Sequence, residues 1–288
     1  MTSQDNLPYA EVIGDPISQS KSPQIHGFWL QRLDIEARYG ARQVSPETLE
    51  TYITARRADP SWRGCNVTMP LKQVIVPFLD RVEPQAMEIG AVNTVYREGD
   101  QLIGTNTDVA GFLEPLRDVL AQQNLFRMAR IIGSGGAARA IISALKDHNF
   151  TLVIAARNVG KARTVLKELG VSGEHYTAPL PMFAKPTDFD FDDRQGCLDL
   201  IVNASPLGMR GQSELEFDLT HAPPGSIFYD IVTDPPETNL LANAREAGFQ
   251  TIDGFRMLVG QAATAFERFF DAKPPREHDD DLIKRLGG

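Results

Sequence analysis

Short apolar runs closed by Gly or Pro alternate with longer stretches whose apolar positions recur every three or four residues, and this rhythm spans most of the chain. Tyr9-Ala10-Glu11-Val12-Ile13 predicts a strand, stopped by Gly14-Asp15-Pro16. Ser22-Pro23 opens a predicted helix containing Ile25, Phe28, Trp29 and Leu33, with proline at a tolerated first-turn position. Residues 37–42 predict a second strand, 46–57 a second helix and 64–67 a third strand, while 91–96 and 102–104 predict two more short strands. Strands alternating with helices predict an α/β fold rich in parallel strands.

A fresh unit is predicted from about Asp108. A helix over 109–121 leads to the short buried strand Arg130-Ile131-Ile132. The turn Gly133-Ser134-Gly135-Gly136-Ala137-Ala138, a helical run to Lys146 and the strand Leu152-Val153-Ile154-Ala155 complete a βαβ unit. Later strands are expected at 198–202, 227–231 and 251–252. The stretch 176–196, rich in Pro, Asp and Phe, is expected to be irregular. A helix from Gly254 through Met257, Leu258, Ala262 and Phe266 ends by Pro274-Pro275, and a short polar helix with Leu282, Ile283 and Leu286 follows.

Composition narrows the class. A chain of 288 residues suits one large or two medium domains. Hydrophobic residues at 42% and charged residues at 23% exclude disorder, a collagen-like chain and a coiled-coil rod. Asp and Glu number 38 against 29 Lys and Arg, a net charge of −9 that repels nucleic acid and anionic membrane overall but permits a local basic pocket. Cys65 and Cys197 are far apart and form no metal-ligand spacing, so two buried thiols of a reduced protein are expected, and no metal. Met1-Thr2-Ser3-Gln4-Asp5-Asn6 lacks the order of a signal peptide, and no apolar run nears the roughly 18 residues of a membrane span. A cytoplasmic protein with small-molecule partners is expected, with monomer and homodimer both open.

The glycine turn carries the first chemical signal. Gly133-x-Gly135-x-x-Ala138 follows a strand and opens a helix, the setting of a dinucleotide fingerprint. Its first glycine permits the tight turn, its second lets backbone approach a pyrophosphate, and free N–H groups at the helix start favour the phosphate. NAD binding usually adds an Asp or Glu about 20 residues on. This chain has Ala155-Ala156-Arg157-Asn158 there, with Lys161 and Arg163 nearby, and an Arg suits a 2′-phosphate that a carboxylate would repel. NADP is therefore expected rather than NAD. The alternative, cations decorating a solvated helix start, works against the helix dipole.

Several turns of the first third are polar beyond need. Ser18-Gln19-Ser20-Lys21-Ser22-Pro23 carries three hydroxyls where one N-cap, Ser20 or Ser22, would suffice. Asn66-Val67-Thr68-Met69-Pro70-Leu71-Lys72 follows a strand, and Gly90-Ala91-Val92-Asn93-Thr94 and Asn106-Thr107-Asp108 read equally as turns or as a site.

Taken together and in order, Ser20-Lys21-Ser22-Pro23, Asn66-Val67-Thr68-x-Pro70-x-Lys72, Gly90 to Thr94, Asn106-Thr107-Asp108, Gly133-x-Gly135-Gly136-Ala137 and Met257-Leu258-x-x-Gln261-Ala262 resemble the shikimate dehydrogenase family from about Tyr9 to Phe270. The resemblance implies reduction of 3-dehydroshikimate with NADPH. It implies two α/β domains with a cleft between them: residues 1–108 plus 255–288, with a mixed sheet, for substrate and catalysis, and a Rossmann-like domain, 109–254, for NADP. Lys72 takes the place of the catalytic lysine, partnered by Asp108. Ser20, Ser22, Thr68, Asn93, Asp108, Thr233 and Gln261 match substrate positions. Gly133, Ser134, Gly135, Gly136, Ala137, Arg157, Lys161, Ser205, Ile231 and Gly254 match the cofactor site.

The sequence departs from the family at four places. Ala156-Arg157-Asn158 replaces the common Asn-Arg-Thr, and Thr233 stands where many members carry a Tyr. Val109 replaces a Gly after the Asp, and Asn239 a Pro. Two rivals follow: a paralogue oxidising quinate or an amino analogue with NADP or NAD, and a non-catalytic NADP sensor. The first usually carries an acidic residue near Arg157, absent in Arg157-Asn158-Val159-Gly160. The second has no use for a Lys and an Asp beside a hydroxyl-rich cleft.

Overall fold

Two six-stranded sheets organise the chain in the computed structural model, which describes residues 7–187 and 197–287. They belong to separate units, Met1–Ala110 with Val259–Gly287 and Gly111–Leu258.

The first unit runs β1 (Tyr9–Gly14), α1 (Ser22–Arg32), β2 (Arg38–Gln43), α2 (Leu49–Arg57), β3 (Trp62–Val67), β4 (Arg81–Val82), α3 (Pro84–Ile89), β5 (Thr94–Glu98) and β6 (Gln101–Thr105). The sheet order is β2-β1-β3-β5-β6-β4. Strand β1 lies parallel to β2 and β3, whereas β5 is antiparallel to β3 and β6, so the sheet is mixed. Central β1 is buried almost throughout, as a strand covered on both faces must be. Its one charge, Glu11, is held by Arg56 at 2.5 Å and the Tyr52 hydroxyl at 2.8 Å. Strand β2 leaves Arg38, Arg42 and Gln43 exposed along the free edge, which discourages edge-to-edge pairing. Leu49, Trp62, Leu71, Ile75 and Val95 form the core on one side.

The chain continues through α4 (Asp108–Leu113) and α5 (Arg117–Leu120) rather than through one helix over 109–121. Pro115 explains the break, because it has no N–H to donate and its ring crowds the preceding turn. The second unit then runs β7 (Phe126–Ile132), α6 (Gly136–Lys146), β8 (Thr151–Ala156), α7 (Val159–Glu168), β9 (Tyr176–Pro179), β10 (Cys197–Asn203), β11 (Ile227–Asp230), α8 (Asn239–Glu246) and β12 (Gln250–Ile252). All its strands are parallel, in the order β12-β11-β10-β7-β8-β9. The order reverses between β7 and β10, and ligands of such sheets bind beyond the strand ends at that point.

The expected irregular stretch holds one strand among its described residues: β9 pairs with β8 at the sheet edge, where Pro179 is tolerated. Residues 188–196 of that stretch lie outside the described residues. Helix α9 (Gly254–Phe270) and α10 (Asp279–Leu286) complete the chain, α9 burying Phe266 and Phe269 against His26, Trp29 and Tyr39. Among the described residues, no helix is long and apolar enough to cross a membrane.

Candidate active site

Lys72 lies in the turn after β3, fixed on both sides by the fully buried Leu71 and Ile75. The Val92 N–H donates to its carbonyl at 2.7 Å, tying this turn to the approach to β5. Asp108 opens α4, its own N–H donating to Asn106 Oδ1 at 3.0 Å. These two turns bring Lys72 Nζ to 2.5 Å from Asp108 Oδ2. The side chains are only 17% and 7% exposed, so solvent screens the pair little.

Asn93 holds the other carboxylate oxygen, donating from Nδ2 to Asp108 Oδ1 at 2.8 Å. The Asn93 side-chain carbonyl accepts from the Thr107 N–H at 2.8 Å and from the Thr94 hydroxyl at 3.0 Å. Gln261, on α9, receives a 3.4 Å contact from the Thr107 hydroxyl. Four of the expected residues, Lys72, Asp108, Asn93 and Gln261, thus share one network. Ser20, Ser22 and Thr68 lie at the same end of the sheet without bonding to Lys72, Asp108 or Asn93. The Thr68 N–H donates to Ile13 at 2.9 Å and the Asp15 N–H to Met69 at 3.0 Å, so the serine turn leaves β1 beside the lysine turn.

Neither serine caps α1. Lys21 occupies the N-cap position with helical backbone and makes no side-chain capping bond, its ammonium donating instead to the Leu286 carbonyl at 2.8 Å, and Ser20 Oγ accepts a long 3.4 Å contact from the Ser22 N–H. Their hydroxyls are therefore not consumed by the helix end. Asn66, Thr94 and Thr107 belong to this network, although the sequence marks only their neighbours as site residues. All three stand inside the motifs that carry the resemblance, and their burial is the signal that sequence does not supply.

In the second unit, Gly133 directly follows β7 with φ 122, and a Cβ there would lie 2.7 Å from the Ala204 carbonyl oxygen. Only glycine fits, and the close approach sets the turn against the end of β10. Gly135 differs: its φ is −87 and a Cβ would meet nothing within 4 Å. Its absent side chain leaves open space at the start of α6, whose N-cap carries no side-chain bond. Unbonded N–H groups beside an open backbone fit a pyrophosphate, with Ser134, Gly136 and Ala137 on the same turn.

Arg157 and Lys161 are exposed beyond β8, and no carboxylate stands at the strand end. Asn158 caps α7, accepting from the Lys161 N–H at 2.9 Å, so Arg157 precedes the helix rather than lying inside its first turn. The donor set fits an added phosphate. Ser205 spends its hydroxyl on Asn203 at 2.7 Å, while its backbone nitrogen lies within the reach of a Cβ at Gly133. The Ile231 N–H donates to Asn203 at 3.1 Å. Gly254 is required by packing, since a Cβ would lie 2.5 Å from the Val232 carbonyl oxygen. Thr233 is half-buried in the loop after β11.

Comparison with known proteins identifies one family. A family model described as the shikimate dehydrogenase substrate binding domain matches residues 12–95, and one for the shikimate 5'-dehydrogenase C-terminal domain matches 254–280. The chain is 45% identical over 277 residues to a shikimate dehydrogenase (NADP(+)) of Sphingopyxis alaskensis, covering 96% of this chain and 95% of that one. It is 40% identical to the enzyme of the same name from Paramagnetospirillum magneticum, covering 92% and 93%. Shikimate 5-dehydrogenase of Thermus thermophilus, solved with NADP(H) and shikimate, superposes with a TM-score of 0.81 at 30% identity, covering 97% of this chain and 100% of that one.

Proposed function

The chain belongs to the shikimate dehydrogenase family, and we propose that Lys72 and Asp108 are the residues on which its reaction turns. That reaction is the reversible NADPH-dependent reduction of 3-dehydroshikimate to shikimate, a step towards chorismate and the aromatic amino acids. The observation that carries the assignment is the 2.5 Å contact of Lys72 Nζ with Asp108 Oδ2, in a network where Asn93 occupies the other carboxylate oxygen.

NADPH, when bound, supplies the hydride that reduces the ketone carbon. Negative charge develops on the carbonyl oxygen as the carbon is reduced, and the Lys72 ammonium stabilises it and gives it a proton. Asp108 orients the ammonium towards that oxygen, and Asn93 keeps the carboxylate from turning away. In the oxidative direction the neutral Lys72 amine accepts the hydroxyl proton. Ser20, Ser22, Thr68, Asn93, Gln261 and Thr233 are neutral donors and acceptors, suited to a polyhydroxylated ring without the desolvation cost of unpaired charges.

Gly133 to Ala137 and Gly254 would hold the cofactor, with Ser205 and Ile231 at neighbouring strand ends. Arg157, assisted by Lys161, would pair with the 2′-phosphate and set the preference for NADP. Residues 1–108 plus 255–288 would form the substrate domain and 109–254 the cofactor domain. The buried Cys65 and half-buried Cys197 are free thiols, which supports a reducing cytoplasmic location.

Steady-state kinetics test the reading. The expected result is kcat/KM highest for shikimate with NADP, and lower by at least about tenfold, the worth of one good contact, for quinate or for NAD. Turnover of quinate with NAD as the better pair would overturn it.

A further inference from the structure

The network around Asp108 has a beginning as well as an end, and it begins on edge strand β2, four strands from β6. Tyr39 lies on β2, where Arg38, Gly40, Ala41, Arg42 and Gln43 are all exposed. In the register of the sheet it stands opposite Ala10 of β1, which in turn stands opposite Gly64 of β3. Phe269 fills the space over Gly64, and small Ala10 leaves the Tyr39 ring room beside it. From there the Tyr39 side chain donates to Asn66 Oδ1 at 2.5 Å. Asn66 lies two residues beyond Gly64 and therefore on the same face.

From there every bond runs in one direction. Asn66 Nδ2 donates to Thr94 Oγ1 at 3.0 Å, and the Thr94 hydroxyl donates to Asn93 Oδ1 at 3.0 Å. Asn93 Nδ2 then donates to Asp108 Oδ1 at 2.8 Å, whose other oxygen receives Lys72. Asn66, Thr94 and Asn93 are 5%, 0% and 2% exposed, so water cannot substitute for a lost partner. A donor at the start fixes which end of Asn66 faces Thr94, and hence points the Thr94 proton at the Asn93 oxygen that the Thr107 N–H also holds, reinforcing the Asn93 orientation that presents Nδ2 to the carboxylate. Chains of this kind polarise each successive bond.

The ring of Tyr39 is fixed separately. It stacks on fully buried His26 at 3.9 Å between centroids with planes 2° apart, and Phe269 lies against it. Burial raises the phenol pKa well above its ordinary value, keeping the proton that the relay needs, and the Ser22 side chain acts in the opposite direction. Nothing in the chemistry of the reaction itself requires a tyrosine on an edge strand.

We propose that Tyr39 is a positioning residue for the reaction, acting through Asn66, Thr94 and Asn93 to set the Asp108 carboxylate and with it Lys72. The proposal rests on the reading of Lys72 and Asp108 as the reactive pair.

Tyr39→Phe keeps the stacked ring and removes only the donor, and Thr94→Val cuts the relay further along with little change in shape. The measurement is kcat and the KM values for shikimate and NADP in Tyr39→Phe, Thr94→Val, the double variant and Lys72→Ala, with Tm as the check on folding. Tyr39→Phe is expected to lower kcat about 2–10-fold, on the scale of one neutral hydrogen bond, with KM for NADP close to wild type. The double variant is expected to be no worse than the poorer single one, because both cut the same chain. Wild-type kcat in Tyr39→Phe, losses that multiply in the double variant, or a loss confined to KM for shikimate would each overturn the relay. Should Tyr39→Phe fail to fold, a normal kcat in Thr94→Val overturns it alone. Lys72→Ala separates the two levels: full turnover there removes the reactive pair itself, whatever Tyr39 does.

Discussion

Lys72 and Asp108, separated by 36 positions in the sequence, meet at 2.5 Å with Asn93 holding the far oxygen of the carboxylate. Two turns of one sheet make this contact: the one leaving β3 is anchored by the Val92 N–H on the Lys72 carbonyl, and the one leaving β6 by the Asn106 side chain, which accepts from the Asp108 N–H and donates to the Ala91 carbonyl. The ammonium is thereby aimed by the fold before any substrate arrives. Such preorganisation is what makes a proton donor effective at a developing oxyanion.

Asp108→Asn removes the charge and keeps the shape. The expected outcome is a fall in kcat of about 100-fold with KM for NADP unchanged, since the change lies at the substrate end of the reaction. Loss of thermal stability with normal kcat in the folded fraction would make Asp108 a turn residue only.

Arg157→Ala addresses the cofactor. Pairing with the 2′-phosphate predicts a loss of NADP binding of about 1.5–3 kcal/mol, read as dissociation constants by titration. NAD lacks that phosphate, so its affinity should barely move. Equal losses for both cofactors would mean general damage, and tighter wild-type binding of NAD would contradict the assignment. Lys161→Ala should cost less, because an exposed ammonium on a flexible stem gains little in water.

The two glycines of the turn predict opposite phenotypes. A Cβ at Gly133 would meet the Ala204 carbonyl at 2.7 Å from a backbone with φ 122. Gly133→Ala should therefore destabilise the fold by about 1–3 kcal/mol. Gly135 has ordinary φ and open surroundings, so Gly135→Ala should leave Tm nearly unchanged and weaken NADP binding instead. Thermal melts and NADP titration of both variants check the contrast.

His26 gives the pH dependence. Burial lowers its pKa from the ordinary 6.5 to about 3, with Asn66 opposing, so the folded protein holds it neutral where the unfolded chain would protonate it. Above pH 6.5 neither state binds the proton and the residue contributes no slope. Between pH 6.5 and 3 only the unfolded state binds it, so stability falls with acidification by up to about 1.4 kcal/mol per pH unit. Urea unfolding at about pH 7.5 and about pH 5.5, on either side of the ordinary histidine pKa, should show a larger loss in wild type than in His26→Phe. Identical losses would mean that His26 does not titrate on unfolding.

Most elements are legible where apolar periodicity is strong and Gly or Pro marks the ends, as in β1, α1, β8 and α9. The break at Pro115 is written in the residue itself but masked by the apolar residues on either side of it. The hidden elements are short: β4 has two residues and needs only one neighbour, and α3 has six residues between polar turns. The glycine fingerprint, its strand and its helix can be placed together because the motif is local. The Tyr39 relay cannot, because it depends on which residues stand opposite Ala10 in a sheet register that no local pattern encodes. Nor does sequence separate Gly133 from Gly135, since strain at one and open space at the other exist only once β10 lies alongside.

Lys72→Ala, assayed with shikimate and NADP, tests the central claim most directly. Removing an ammonium placed to deliver the proton should lower kcat by about 10²–10⁴-fold, while the dissociation constant for NADP, measured on the same folded sample, stays close to that of wild type. A variant that keeps most of its kcat, or one that loses NADP binding in proportion to its activity, would contradict the account.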